Sequence, residues 1–320
     1  GAFAADWSAA VDLRAGWRVR ASYAASPGLA VGALAVVPAI HVGVGLPESR
    51  GLAEPGQRVT VTLASAAGGR RSIGEVADDR GEYTVAFGSP FSPAPSGPRP
   101  GDRIEVAVVQ DDPLVLEVPA LTAVSDVAGN AVHGEAPPGS AVRVRVDSAP
   151  GAPVAEAVAD AGGAYRAGFA GTLELARPAN GTVTLTRGDG NAFFTTWAAL
   201  QINATVGGEL QSSFVAGNGP VGRWVSVELR SPSGDVVATG GSPVYPGDIT
   251  GLPGVTGTGA AFFSPLTDIA GTPVTMEAGD TLRVAAGDEV TELLIPRSEA
   301  VILITADTVA GRTAPDADVT

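Results

Sequence analysis

Residues 134–169 read GEAPPGSAVRVRVDSAPGAPVAEAVADAGGAYRAGF. Within them AVRVRVDS alternates apolar and polar side chains, the period-two pattern of a strand with one buried face. Pro-Pro-Gly precedes that run, and Ala-Asp-Ala-Gly-Gly follows the next apolar stretch. Each stretch is therefore bounded by residues that favour tight turns. The phrase closes on two aromatics, Tyr165 and Phe169.

Working outward, the same phrase stands at 51–87 as GLAEPGQRVTVTLASAAGGRRSIGEVADDRGEYTVAF. Its first half, Gly-x-Ala-x-Pro-x-x-x-Val, returns with Thr for Ala at 311–319 and as the looser AGNGPVGRWV at 216–225. The anchoring prolines, Pro55, Pro138, Pro220 and Pro315, are spaced by 83, 82 and 95 residues. The aromatic half recurs at Phe3 and Trp7, Tyr83 and Phe87, Tyr165 and Phe169, and more loosely at Phe262 and Leu266, with steps of 80, 82 and 97. A third anchor is a turn leading into an alternating strand: RAGWRVRASY, RPGDRIEVAV, RPANGTVTLT and EAGDTLRVAA. Periodicity of this kind is the mark of a repeat architecture. The three anchors divide the chain into full copies at about 41–121, 122–200 and 201–297, the C-terminal part of a copy at 1–40, and the N-terminal part of another at 298–320.

No segment carries a convincing 3.6-residue apolar period, and six or seven short strands in about 80 residues match the strand density of a two-sheet sandwich. The expected fold is all-β: tandem β-sandwich repeats of about 80–97 residues in an extended rod. The order G-x-A-x-P-G-x-x-V-x-V, followed by a strand ending Ala-Asp-x-x-Gly-x-aromatic, resembles bacterial Ig-like domains of tandem arrays in surface proteins and adhesins. Residues 134–169 carry the resemblance best, 51–87 nearly as well, and the third copy departs by losing the Ala-Asp and gaining a loop. The resemblance implies a fold and a scaffolding habit, and brings no catalytic residues with it.

Composition narrows the function classes. The 320 residues carry a net charge of −14 with no basic patch, which argues against nucleic acid and anionic membrane surfaces. All 20 basic residues are Arg. Without Lys there is no intramolecular Lys–Asn or Lys–Asp isopeptide crosslink and no Schiff-base chemistry. Absence of Cys removes disulfides, thiol catalysis and thiolate metal sites. The 45% hydrophobic content is too high for a disordered chain despite 43 Gly and 25 Pro. The longest apolar run, LAVGALAVVPAIHVGVGL at 29–46, has membrane-span length, but Pro38 and the repeat register make it two strands in series. An extracellular or cell-surface location is expected.

Candidate chemistry is sparse. His41 and His133 fall at different positions of different copies, so they do not converge into a triad or metal site. Asp78-Asp79, Asp111-Asp112 and Asp288-Glu289 sit in turns, where Asp bonds its own backbone. No Asp-x-Asp-x-Asp-Gly loop is present to specify Ca²⁺. No cofactor is expected, and no enzyme. Arg-Gly-Asp-Gly at 187–190 reads as a hairpin tip. NGT (180–182) and NAT (203–205) match the glycosylation pattern by short coincidence. The most individual segment is the insertion 242–257 of the third copy, with Tyr245, Ile249, Leu252 and Val255 spaced along it as a candidate binding loop.

Two functions follow from this. The first is a non-catalytic stalk, filament or surface layer, whose partners are other copies of itself or neighbouring repeats of a longer chain. The alternative is an adhesin that holds a glycan or protein with the 242–257 loop. The half-copies at the two ends are expected to be a window from a longer array. Strand complementation between copies is the competing account, disfavoured because the tail stops inside a strand that other copies complete.

Overall fold

The alternating stretches become strands. The computed structural model describes residues 13–26, 29–88, 97–108, 113–176, 179–205, 213–220, 222–246, 260–296, 299–303 and 308–312, and every regular element among them is β. The 29–46 run is two strands interrupted at Val37 and Pro38, and no helix among the described residues is long and apolar enough to cross a membrane.

By contacts the chain forms two compact units, 1–175 with 181–197, and 176–180 with 198–320. The first unit opens with a hairpin of β1 (Arg18–Ser26) and β2 (Leu29–Val36). Seven strands follow: β3 (Ala39–Gly43), β4 (Glu48–Leu52), β5 (Arg58–Ala64), β6 (Arg70–Val76), β7 (Glu82–Ala86), β8 (Arg103–Val108) and β9 (Leu114–Glu117). They pair as β3-β4-β7 and β6-β5-β8-β9. The next seven are β10 (Val124–Asp126), β11 (Ala131–Glu135), β12 (Ala141–Val146), β13 (Val154–Val158), β14 (Ala164–Gly168), β15 (Asn180–Thr186) and β16 (Ala192–Ala198). Their order is the same, β10-β11-β14 and β13-β12-β15-β16.

The second unit contains β17 (Gln201–Thr205), β18 (Phe214–Asn218), β19 (Trp224–Arg230), β20 (Val236–Pro243), β21 (Tyr245–Pro246), β22 (Ala260–Pro265), β23 (Thr281–Ala286) and β24 (Glu289–Leu294). Its sheets, β17-β18-β22-β21 and β20-β19-β23-β24, follow the same plan with β21 added at one edge. A hairpin of β25 (Glu299–Leu303) and β26 (Thr308–Arg312) comes last. The core of this sandwich draws on both sheets: Val215 and Phe262 meet Val225, Val227, Leu229, Leu282 and Val284, all fully or almost fully buried.

The recurring motif residues have physical reasons. Tyr83 donates its hydroxyl to the Ala39 carbonyl at 3.0 Å, and Tyr165 donates to the Thr122 carbonyl at 2.6 Å. Each ring lies over the glycine paired with it in the adjacent strand, Gly51 and Gly134. A Cβ on Gly51 would stand 2.1 Å from Tyr83 Cζ, and one on Gly134 2.1 Å from the Thr122 oxygen. Gly217 faces Phe262 under the same constraint. Only a residue without Cβ admits the aromatic there.

The two halves of the motif also bond to one another. Ala53 N–H reaches the Gly81 carbonyl at 2.9 Å and Gly56 N–H the Ala77 carbonyl at 2.9 Å. The equivalents are Ala136 to Gly163 at 2.8 Å and Gly139 to Ala159 at 2.9 Å. The third anchor is a buttressed turn in which Gly101 N–H meets the Val118 carbonyl and Val118 N–H the Asp102 carbonyl. Gly279, Ile295 and Asp280 repeat it in the second unit, and Gly16, Val37 and Trp17 repeat it before β1.

One feature departs from copies joined only end to end. β16 pairs in parallel with β3, Ala192 opposite His41, Phe193 opposite Val42 and Phe194 opposite Gly43. This fuses two sheets of the first unit into seven strands ordered β13-β12-β15-β16-β3-β4-β7.

Candidate functional site

Tyr245 opens β21, opposite Ala261 of β22. Ile249, Leu252 and Val255 lie outside the described residues, as do Phe3, Trp7, Asp111, Asp112 and Pro315.

The histidines stay apart, His41 in β3 and His133 in β11. His41 is exposed and paired across the ladder with Arg50. Partial withdrawal from water, and then repulsion by the Arg50 guanidinium, hold its imidazolium below the usual 6.5. Among the described residues no group of three or more His, Asp or Glu is placed to hold a metal ion.

The acidic turns use their carboxylates on backbone. Asp78 Oδ1 accepts from the N–H groups of Arg80 and Glu82, both at 2.8 Å. Asp160 does the same with Gly162 and Ala164, and Asp268 with Ala270 and Thr272. These are Asx turns. Asp268 forms its turn at a different corner, after β22 and before β23, so it does not replace the Ala-Asp that the third copy lacks. Glu289 Oε1 accepts from Leu200 N–H at 2.9 Å. Asp126 accepts from Gly129 N–H at 2.8 Å and pairs with Arg166 at 2.8 Å.

Hydrogen bonds from backbone N–H groups, first that of Glu82, draw the Asp78 carboxyl below its usual 3.8. The Gly129 N–H and then Arg166 do so for Asp126. A carboxylate with a depressed native pKa stabilises the fold above its unfolded value, and that contribution disappears as pH falls through the native one. Acid titration followed by circular dichroism is therefore expected to show stability falling below about pH 3.8. Asp78→Asn should be less stable at neutral pH and lose less on acidification. An unchanged difference in stability between neutral and acid pH would refute the assignment.

Outward faces of the four-stranded sheets carry arginine–carboxylate pairs. Arg70 and Arg103 flank Glu105, Arg145 meets Asp147, and Arg230 and Arg283 flank Glu228. Exposed pairs of this kind contribute at most about 1 kcal/mol each. They form neither a basic patch nor a pair of free acids. An open depression of about 520 Å³ lies over Arg230, Thr281, Arg283 and Glu292, and its two arginines are already paired, both with Glu228 and Arg283 also with Glu292. A smaller cavity of about 270 Å³ in the first unit is lined mainly by apolar residues, among them Leu13, Val37, Val108 and Leu114, together with Asp189 and Asn191.

The Arg-Gly-Asp-Gly segment is the hairpin tip between β15 and β16. Arg187 N–H bonds the Asn191 carbonyl at 2.8 Å, and Gly190 takes a φ of +90° to turn the corner. Arg187 Nε and Asp189 Oδ2 pair with each other at 3.1 Å. The two charges are therefore paired with each other on an exposed turn. Asn180 and Asn203, of the NGT and NAT triplets, lie within strands β15 and β17.

No protein-family model matches this chain, and no curated protein matches it. Solved structures do align. A tetra-tandem repeat in the extending region of a large adhesion protein matches at 12% identity, over 87% of each chain, with a TM-score of 0.19. The BSP domain of a biofilm-associated protein matches at 10% identity, over 80% of this chain and 66% of that one, with a TM-score of 0.20. The FN1–FN3 domains of chicken CNTN1 match at 7% identity, over 81% and 99%, with a TM-score of 0.16. At these TM-scores the likeness carries no argument about function.

Proposed function

We propose that this chain is a non-catalytic structural segment of an extracellular surface protein, in which tandem Ig-like copies build a stalk, filament or surface layer. The copies are 41–121, 122–200 and 201–297, flanked by parts of copies at 1–40 and 298–320. The observation that carries the reading is that the recurrent residues are used up in holding strands together. Gly51 and Tyr83, Gly134 and Tyr165, Asp78, Asp160 and Asp102 all serve backbone or packing. A chain that spends its repeated residues on fold selects for the module rather than for a reaction. Modules joined without long linkers favour a stiff array. The partners are neighbouring copies, and no cofactor is required.

A second reading keeps the scaffold and adds recognition by the 242–257 loop. It is favoured by β21, an extra edge strand that starts at Tyr245 and has no counterpart among the described residues of the other two sandwiches. Antibody labelling of intact cells tests the structural reading. Label on surface appendages or a surface layer is expected, and intact cells that stay unlabelled but take up label once permeabilised would overturn it. Deleting 243–256 separates the two readings. Surface assembly should survive the deletion, whereas any glycan or protein binding held by the loop should disappear.

A further inference from the structure

We propose that the corner Asp189–Gly190–Asn191 is a side-to-side clamp that locks the two sandwiches of the first unit into one body by gripping the backbone of residue 15 and strand β3. The inference concerns the chain's own assembly and holds whether or not the chain serves a surface array.

The parallel seam between β16 and β3 is short, three residue pairs long, against seven for β5 with β6. What extends it is side chain and turn. Asn191 is almost fully buried, and its Oδ1 accepts the Ile40 N–H at 2.9 Å, continuing the seam beyond the end of the ladder. At the other end, Val44 N–H reaches the Phe194 carbonyl at 2.7 Å and the buried Thr195 hydroxyl donates to the Val44 carbonyl at 3.2 Å. The Asp189 carbonyl meanwhile accepts the Ala15 N–H at 2.8 Å. Gly190 is pressed against the same residue: a Cβ there would lie 2.7 Å from the Ala15 oxygen and 2.9 Å from its nitrogen. Its positive φ and this close approach both demand glycine.

The corner holds its shape before it grips. Asn191 N–H bonds Asp189 Oδ1 at 3.0 Å, and Arg187 braces the other carboxylate oxygen. The Arg-Gly-Asp tripeptide thus has a structural task that explains its residues without a receptor. A buried N–H left without an acceptor is costly, so the Asn191 oxygen matters to the seam.

The test uses the whole chain, which has no cysteine of its own. With His41→Cys and Ala192→Cys, partners across the seam, mild oxidation should give an intrachain disulfide in a monomer. Adding Asn191→Leu or Gly190→Val should slow that crosslink by about tenfold or more. In the same variants without cysteines, amide exchange at Ile40 and Ala15 should accelerate by about tenfold, while Val61 and Val144 in the two cores stay protected. Three results would overturn the clamp. One is unchanged exchange at Ile40 and Ala15. Another is a disulfide that links two chains instead of one. The third is equal loss of protection in both cores, which would make the corner a folding requirement and not a clamp.

Discussion

Phe262→Ala is expected to cost the third sandwich roughly 3–5 kcal/mol, the range for deleting a fully buried aromatic. Phe262 has no exposed surface and sits among Val215, Leu229, Leu266, Met276 and Leu282. The cavity left behind has little means of closing. One wall is Gly217, packed close against the ring, with the Gln201 carbonyl on the same side of that glycine. Since a whole domain is usually stable by about 5–15 kcal/mol, such a loss takes a large share of the margin. Urea titration read by amide exchange in β19 and β23 measures it, because those strands report this sandwich alone. A change below about 1 kcal/mol would mean that the neighbours collapse into the space and that the packing is looser than described.

Gly51→Ala should be nearly as damaging, at about 3 kcal/mol, although it adds a single methyl. The new Cβ would meet Tyr83 Cζ at 2.1 Å and the Ala39 carbonyl oxygen at 2.4 Å. One obstacle is a buried ring and the other is backbone, so neither can swing aside. Displacing the ring also breaks the Tyr83 hydrogen bond to Ala39 and leaves that carbonyl without its donor. Gly74→Ala is the matched control: it lies in edge strand β6, and its Cβ would come no nearer than 3.9 Å to the Arg58 guanidinium. A change within about 0.5 kcal/mol is expected there. Equal effects at Gly51 and Gly74 would show that the loss reflects strand propensity and not the clash.

These two predictions mark where the chain's reading was direct. The alternation in RVTVTLAS and AVRVRVDS places Val59, Val61, Val142 and Val144 on buried faces, and they are buried. The spacing of glycine, proline and aromatic identified a unit because those residues meet within a single sandwich, Gly51 against Tyr83 and Gly56 against Ala77. Contacts made inside every copy recur in the sequence, and recurrence is visible without coordinates. The insertion was equally plain as extra length, although its role as a further edge strand at Tyr245 was not, since two residues carry no periodicity.

By itself, then, the sequence determined the all-β class, the turn chemistry, the spacing of the copies and the absence of thiol and lysine chemistry. Each of these depends on residue type or on short-range order. Only the tertiary structure decided what the Arg-Gly-Asp-Gly segment is for, that Asn191 serves Ile40, and that β16 lies beside β3. The partners in that seam are 151 residues apart and bond largely through main chain, which every residue carries alike. A contact made once, through groups common to all residues, leaves no pattern to read until the fold brings its two sides together.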